Sequence, residues 1–137
     1  FHEELVGQSF VVWRDIDELA VGADNAMVLD DSFDPKLHDE YFLNIAQFVS
    51  DGLNACGYTY CTGDIMATNR NWRQPLSKWK QYFTDWIENP SPEKLLHSSI
   101  FFDLDGVSGE MRFAKELNQL IRKKAPKAKN LTIGKNI

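Results

Sequence analysis

The run Asn25-Ala26-Met27-Val28-Leu29 constrains the fold of this chain more than any other segment. It is short and apolar without alternation, and the acids Asp30 and Asp31 follow it, which is typical of a buried β-strand that ends in a turn. A second β-prone run, Phe10-Val11-Val12-Trp13, precedes it. Buried strands need a covering layer, so the remainder of the chain must supply helices with apolar faces.

Three long helices are predicted downstream of these strands. The first opens at Asp34-Pro35 and stops at Gly57, which are good capping residues at the two ends. We expect it to bury Leu37, Tyr41, Ile45, Phe48, Val49, Leu53 and Cys56. The second begins near Pro75 and ends at Asn89-Pro90. One face of this second helix carries an apolar, largely aromatic stripe. The stripe predicts that the helix packs on the core and does not serve as a base-stacking platform. It consists of Leu76, Trp79, Phe83, Trp86 and Ile87.

The rest of the chain adds one short helix, one strand and the last helix. Ser91 and Pro92 suit the cap and first position of a helix that ends at His97, and Ser98 to Leu104 is predicted to be a third strand. The last helix is predicted from about Gly109 to Ala125, where Pro126 stops it, with a buried side made of Met111, Ala114, Leu117, Leu120 and Ile121. This order indicates an α/β domain with helices packed on a small sheet.

Chain length and composition limit the function classes. A chain of 137 residues favours one domain over residues 1–137, and because it starts at Phe1 we expect it to be a piece of a longer multidomain protein. The net charge of −5 argues against binding to a nucleic-acid backbone. No apolar run reaches the roughly 20 residues needed to cross a bilayer. Two cysteines, Cys56 and Cys61, indicate reduced thiols in a cytoplasmic protein.

Two acidic positions could carry chemistry. Phe101-Phe102-Asp103-Leu104-Asp105-Gly106-Val107 matches locally the nucleophile motif of haloacid-dehalogenase-like phosphatases. That motif opens the chain in those enzymes and needs partners from later strands, so a phosphatase is a remote alternative here. The other position is Asp24, an acid at the head of the buried strand Asn25 to Leu29. Alone, it could equally be a turn former.

Longer sequence segments downstream of Asp24 bear on its interpretation, because together they carry a family resemblance. They are Gly57 to Cys61, Asp64 to Ala67, Trp72 to Leu76, and Leu95 to Asp103. With them, residues 10 to 125 resemble the nucleotidyltransferase modules that in bacteria follow cyclic-nucleotide-binding and CBS domains and are related to the uridylyltransferase of the PII signalling protein. The resemblance implies a nucleotidyltransferase-like fold with a small mixed sheet flanked by helices. It also implies transfer of a nucleoside monophosphate from a triphosphate to an acceptor hydroxyl, which a protein could carry, in signal transduction.

The resemblance further implies a set of site residues. Asp24 takes the place of the second acid of the family's pair and Asp103 that of its third acid, so both would act in catalysis and hold Mg²⁺ or Mn²⁺. Arg14, Asn25, Arg70 and Arg73 would contact the nucleotide. Two carboxylates about 4 Å apart repel each other by roughly 4 kcal/mol at an effective dielectric constant of about 20, so such a cluster needs its cation.

Two features of the family's site are missing. Gly22 stands where the resemblance expects the first acid, and Phe10 and Val11 stand where it expects a Gly-Ser pair that holds phosphate oxygens. Either the domain has lost its activity and survives as a nucleotide-binding or partner-binding regulatory module, or residues between Trp13 and Asn25 are omitted and the flanks are joined. Both explanations are open at the level of the sequence.

Overall fold

The computed structural model describes residues 8–13, 24–58, 60, 63–102 and 104–136. Within these ranges the strands are β1 (Gln8–Trp13), β2 (Asn25–Leu29), β3 (Arg73–Pro75) and β4 (Leu104–Gly109). They form one sheet in the order β3-β2-β1-β4. β1 runs antiparallel to both β2 and β4, whereas β2 and β3 are parallel. The predicted small mixed sheet is therefore confirmed.

The helices are α1 (Pro35–Ala55), α2 (Leu76–Glu88), α3 (Pro92–Phe101) and α4 (Met111–Asn136), and a 3₁₀ turn spans Arg70–Trp72. Capping explains where α1 begins and ends. The Asp34 carboxylate accepts a hydrogen bond from the Lys36 amide at 3.0 Å. At the other end Gly57 has φ of 100°, and the Tyr58 amide donates to the Leu53 carbonyl at 2.9 Å. This is a Schellman ending, which favours glycine because the backbone is left-handed there.

Helices cover β2 on both faces. Ala26 and Val28 belong to one cluster of buried residues, together with Trp72, Leu76, Trp79, Phe83, Trp86, Phe101, Phe113, Ala114 and Leu117. Met27 and Leu29 belong to the other, with Phe42, Ala46 and Ala67. Successive strand residues point to opposite faces, so a strand between two layers is apolar on both faces, as Ala26 to Leu29 are. This accounts for the apolar run of β2.

The aromatic stripe of α2 lies in the core, as predicted. Trp79 is fully buried, its ring centroid lies 5.3 Å from that of Phe101, and its indole N–H donates to the Met27 carbonyl at 3.1 Å. The indole thus joins helix to sheet with a hydrogen bond as well as apolar area. A base-stacking role for these rings is inconsistent with their burial.

The predicted third strand over Ser98 to Leu104 is wrong in its position. α3 continues to Phe101, and β4 begins only at Leu104. A short apolar run does not distinguish a buried helix turn from a strand by its period. Tertiary contacts favour the helix over the strand here. As part of α3, the Phe101 side chain is fully buried, and its ring centroid lies 4.6 Å from that of Trp72.

The predicted buried face of α1 is also partly wrong. Leu37 and Phe48 are 75% and 80% exposed, and the side chains buried on this helix are Phe42, Ala46 and Ser50. α1 has apolar residues on more than one side, so its periodicity alone does not say which side meets the sheet.

α4 differs from its prediction at both ends. Met111 is 45% exposed, and Phe113 is buried in its place. The helix passes Pro126 and extends to Asn136, so the prediction that Pro126 stops it is wrong. Among the parts of the chain that are described, no helix combines the length and apolar character that crossing a membrane requires.

Tyr82 on α2 gives a testable pH dependence. Its ring stacks on Trp86 with centroids 5.7 Å apart, and burial raises the pKa of its phenol. A raised pKa means that folding favours the neutral phenol. This contribution to stability is complete below the unfolded-state pKa of about 10 and is lost as pH rises through the folded-state pKa.

We therefore expect thermal denaturation to show a loss of stability above about pH 10, and Tyr82→Phe to lose less over the same range. Tyr58→Phe is the matched control, since the Tyr58 side chain is 59% exposed. Equal alkaline losses in Tyr82→Phe and the parent protein would contradict this assignment.

Candidate functional site

The C-terminal end of β1 meets the first residues of β2 and β4. Val12 lies opposite Asn25 on β2 and opposite Asp105 on β4. Both neighbours run antiparallel to β1, so both start at the same edge of the sheet. Because adjacent strands lie about 4.8 Å apart, the starts of β2 and β4 are about 10 Å apart. One cation could be shared across this gap only by side chains that point toward each other over the end of β1.

Asp24 directly precedes β2, so it lies at this edge, where its side chain is half-buried. Asp103 and Arg14 lie outside the described residues, although Leu104, the neighbour of Asp103, is the first residue of β4. The approach of Asp24 to Asp103 therefore remains a prediction. The same holds for the continuity of the chain between Trp13 and Asn25, because residues 14–23 are not described either.

Phe10 and Val11 lie inside β1. Phe10 is paired with Met27 and Ser108, and Val11 with Ala26 and Gly106. Strands on both sides engage the backbone groups of a central strand, whereas a phosphate-binding loop offers unpaired N–H groups. The register with β4 shifts between Phe10 and Val11, so the pairing is regular at both positions only on the β2 side. Neither residue has the side chain of a phosphate-binding Gly-Ser pair.

Asn25 is buried and holds a loop in place. Its backbone N–H donates to the Ile65 carbonyl at 3.0 Å, and its side-chain oxygen accepts from the Ala67 amide at 2.9 Å. Residues 63–69, here called the 63–69 loop, are thereby tied to the first residue of β2. A residue that was predicted to contact nucleotide thus has a structural partner next to Asp24.

Arg73 is buried, with only 3% of its side chain exposed. Its guanidinium donates to both carboxylate oxygens of Asp39, at 3.0 and 3.2 Å. It also donates to the Ala67 carbonyl at 2.8 Å and the Thr68 carbonyl at 3.1 Å. The bidentate pair and the two carbonyls use most of its donors. A nucleotide contact by Arg73 would require these bonds to break.

Arg70 differs from Arg73 in its setting. It lies on the 3₁₀ turn and is exposed, and its backbone carbonyl accepts a hydrogen bond from the Gln74 side chain at 2.9 Å. The sequence predicted the same role for both arginines. In the fold, Arg70 has a cationic side chain at the surface, whereas Arg73 connects α1, β3 and the 63–69 loop.

The described residues contain no group of three or more His, Cys, Asp or Glu side chains arranged for a metal ion. Mg²⁺ does not need such a group, since one or two carboxylates with phosphate oxygens and water complete its octahedron. Asp24 offers the type of oxygen donor that Mg²⁺ prefers. Its chemistry and its position at the sheet edge fit a magnesium ligand.

Asp39 is a residue that sequence reasoning missed. It lies on α1, it is 21% exposed, and its partner Arg73 is 34 positions away in the chain. No local pattern marks it, because Glu40 and other polar residues surround it in the sequence. Only the packing of α1 against β3 brings the ion pair together.

Comparison with known proteins identifies a family. A family model described as "Putative nucleotidyltransferase DUF294" matches residues 18–93. This span is more than half of the 137 residues, and it contains Asp24, Asn25, Asp39, Arg70 and Arg73. Arg14, Asp103 and the strands β1 and β4 fall outside it. Searches of curated proteins and of solved structures each found no match.

Proposed function

We propose, because this chain belongs to the nucleotidyltransferase family DUF294, that it transfers a nucleoside monophosphate from a nucleoside triphosphate to an acceptor hydroxyl. The observation that carries the proposal is the family match over residues 18–93, within which Asp24 directly precedes the buried strand β2. A carboxylate directly before a buried strand is a suitable place for phosphoryl chemistry, which depends on positioning and charge.

Asp24 and Asp103 are the proposed ligands of Mg²⁺, or of Mn²⁺ in its place. When bound, the cation would neutralise charge on the triphosphate. Arg14 and Arg70 are the proposed phosphate contacts, and the exposure of Arg70 suits that role. The acceptor oxygen forms a bond to the α-phosphorus, the bond to the bridging oxygen breaks, pyrophosphate leaves, and the hydroxyl proton passes to a carboxylate of the site.

The biological setting is part of the same proposal. The domain would act in the cytoplasm as one module of a signalling protein, beside cyclic-nucleotide-binding or CBS domains, with a protein as the acceptor.

A catalytically silent module that binds a nucleotide or a partner is the second candidate. It is favoured by Gly22 in the place of the first acid and by Phe10 and Val11 in the place of the Gly-Ser pair. The first change removes a carboxylate, and the other two positions lie within the ladders of β1. Binding could survive these losses where transfer does not.

The proposal is tested by thermal denaturation with MgCl₂ and each of the four ribonucleoside triphosphates. At a concentration of about 100 times Kd, binding should add about 2.7 kcal/mol to the free energy of unfolding by mass action. Asp24→Asn and Asp103→Asn should each remove most of the rise in Tm. Glu40→Gln, which removes an exposed carboxylate on α1, should retain it.

Pyrophosphate release in the presence of an acceptor separates the two candidates. Release that depends on Asp24 supports transfer, and a rise in Tm without release supports the silent module. No rise in Tm with any of the four triphosphates at millimolar concentration would contradict both nucleotidyl transfer and a nucleotide-binding module, and would leave the partner-binding module.

A further inference from the structure

The 63–69 loop is fixed from two sides. From β2, the side-chain oxygen of Asn25 accepts from the Ala67 amide at 2.9 Å. From β3, Arg73 donates to the carbonyls of Ala67 and Thr68 at 2.8 and 3.1 Å. Both groups of the Ala67 backbone are thus engaged, and Ala67 itself is fully buried. The place of this loop beside Asp24 depends on the orientation of the Arg73 guanidinium.

That orientation is set by Asp39. The Asp39 carboxylate accepts a hydrogen bond from Arg73 Nε at 3.0 Å and another from a terminal nitrogen at 3.2 Å. These two bonds hold one side of the planar guanidinium. The other terminal nitrogen then faces the two loop carbonyls. A bidentate pair fixes both position and rotation of the plane, which a single hydrogen bond does not.

We propose that Asp39 is a positioning residue of the candidate site, acting through Arg73 on the 63–69 loop and so on the neighbourhood of Asp24. The proposal rests on the proposed function for its link to nucleotide binding. It adds Asp39, on a helix that contributes no other residue to the site, and it assigns Arg73 to support of the loop rather than to contact with the ligand. Removing the carboxylate leaves a buried guanidinium without its countercharge, and the loop carbonyls then lose a fixed donor.

The test uses Asp39→Asn, with Glu40→Gln as the matched control from the next position of the same helix. Amide hydrogen exchange measured by NMR reports the Ala67 amide directly, without any ligand. We expect exchange at Ala67 to become at least about tenfold faster in Asp39→Asn, while buried amides of α2 keep their protection. Titration with MgATP, MgUTP, MgGTP and MgCTP should show an affinity about 10–100-fold weaker, as for other residues that support ligand-binding groups indirectly. Glu40→Gln should match the parent in both measurements.

Asp39→Glu provides a second variant that keeps the negative charge beside Arg73, and it is the variant to measure if Asp39→Asn does not fold. It should restore part of the protection at Ala67 and part of the affinity. Unchanged exchange at Ala67 in both variants would overturn the proposal, and so would faster exchange with an unchanged nucleotide affinity. If the parent protein binds none of the four triphosphates, the proposed function fails. In that case hydrogen exchange at the Ala67 amide tests the role of Asp39 in positioning the loop by itself. Faster exchange in the Asp39 variants supports that role, and unchanged exchange overturns it.

Discussion

Arg73→Ala is expected to lower the free energy of unfolding by about 3–5 kcal/mol, because breaking a buried ion pair leaves its other member without compensation. Asp39 would keep its carboxylate in a site that is only 21% exposed. The carbonyls of Ala67 and Thr68 would lose their donors as well. For a chain of this size the change corresponds to a fall in Tm of roughly 10–17 °C, measured by circular dichroism.

Arg70→Ala is the control for Arg73→Ala, since it deletes the same cationic side chain three positions earlier on an exposed turn. Substitutions at exposed positions of this kind stay within about 0.5 kcal/mol. Equal losses in the two variants would mean that the buried network of Arg73 contributes nothing beyond the surface charge. A small loss in Arg73→Ala would also remove the basis for treating Asp39 as a positioning residue.

Phe83→Ala on α2 should destabilise the protein by about 3–5 kcal/mol, the usual range for truncating a buried aromatic residue. Phe83 is fully buried, and its ring centroid lies 5.1 Å from Phe102 and 5.5 Å from Trp86. The cavity left by the ring would be lined by these side chains and would close only partly. Urea denaturation followed by tryptophan fluorescence measures the loss, with an unchanged m-value as the sign that both states are otherwise alike.

Phe48→Ala makes the same chemical change on α1, where the side chain is 80% exposed. We expect its free energy of unfolding to stay within about 0.5 kcal/mol of the parent. A loss comparable to that of Phe83→Ala would show that the outward face of α1 is covered in solution. It would then contradict the orientation of α1 described above.

Local signals in the sequence predicted several elements correctly. β2 follows from its apolar run, α1 from Asp34-Pro35 and Gly57, and α2 from a wide aromatic stripe. Each of these signals involves residues within a few positions of one another. The position of Asp24 at the head of β2 was predicted on the same basis, because the run that forms this strand begins at the next residue, Asn25.

The errors have a common physical origin. Ser98 to Phe101 is apolar enough for either a strand or a helix, and burial of Phe101 against Trp72 decides for α3. The three residues of β3, Arg73–Pro75, form a strand only because β2 is beside them. A pattern in one segment contains no information about which surface another segment will cover.

The sequence by itself determined an α/β chain with a buried strand headed by Asp24, since caps, apolar runs and stripes are local properties of the polypeptide. Only the tertiary structure decided that Arg70 is exposed and Arg73 buried, although the two residues are three positions apart and were predicted to act alike. It also decided that Asp39 pairs with Arg73 from 34 positions away and that Asn25 holds Ala67. These bonds form because α1, β2 and β3 pack together, and the free energy of a buried hydrogen bond or ion pair depends on the surroundings that packing creates.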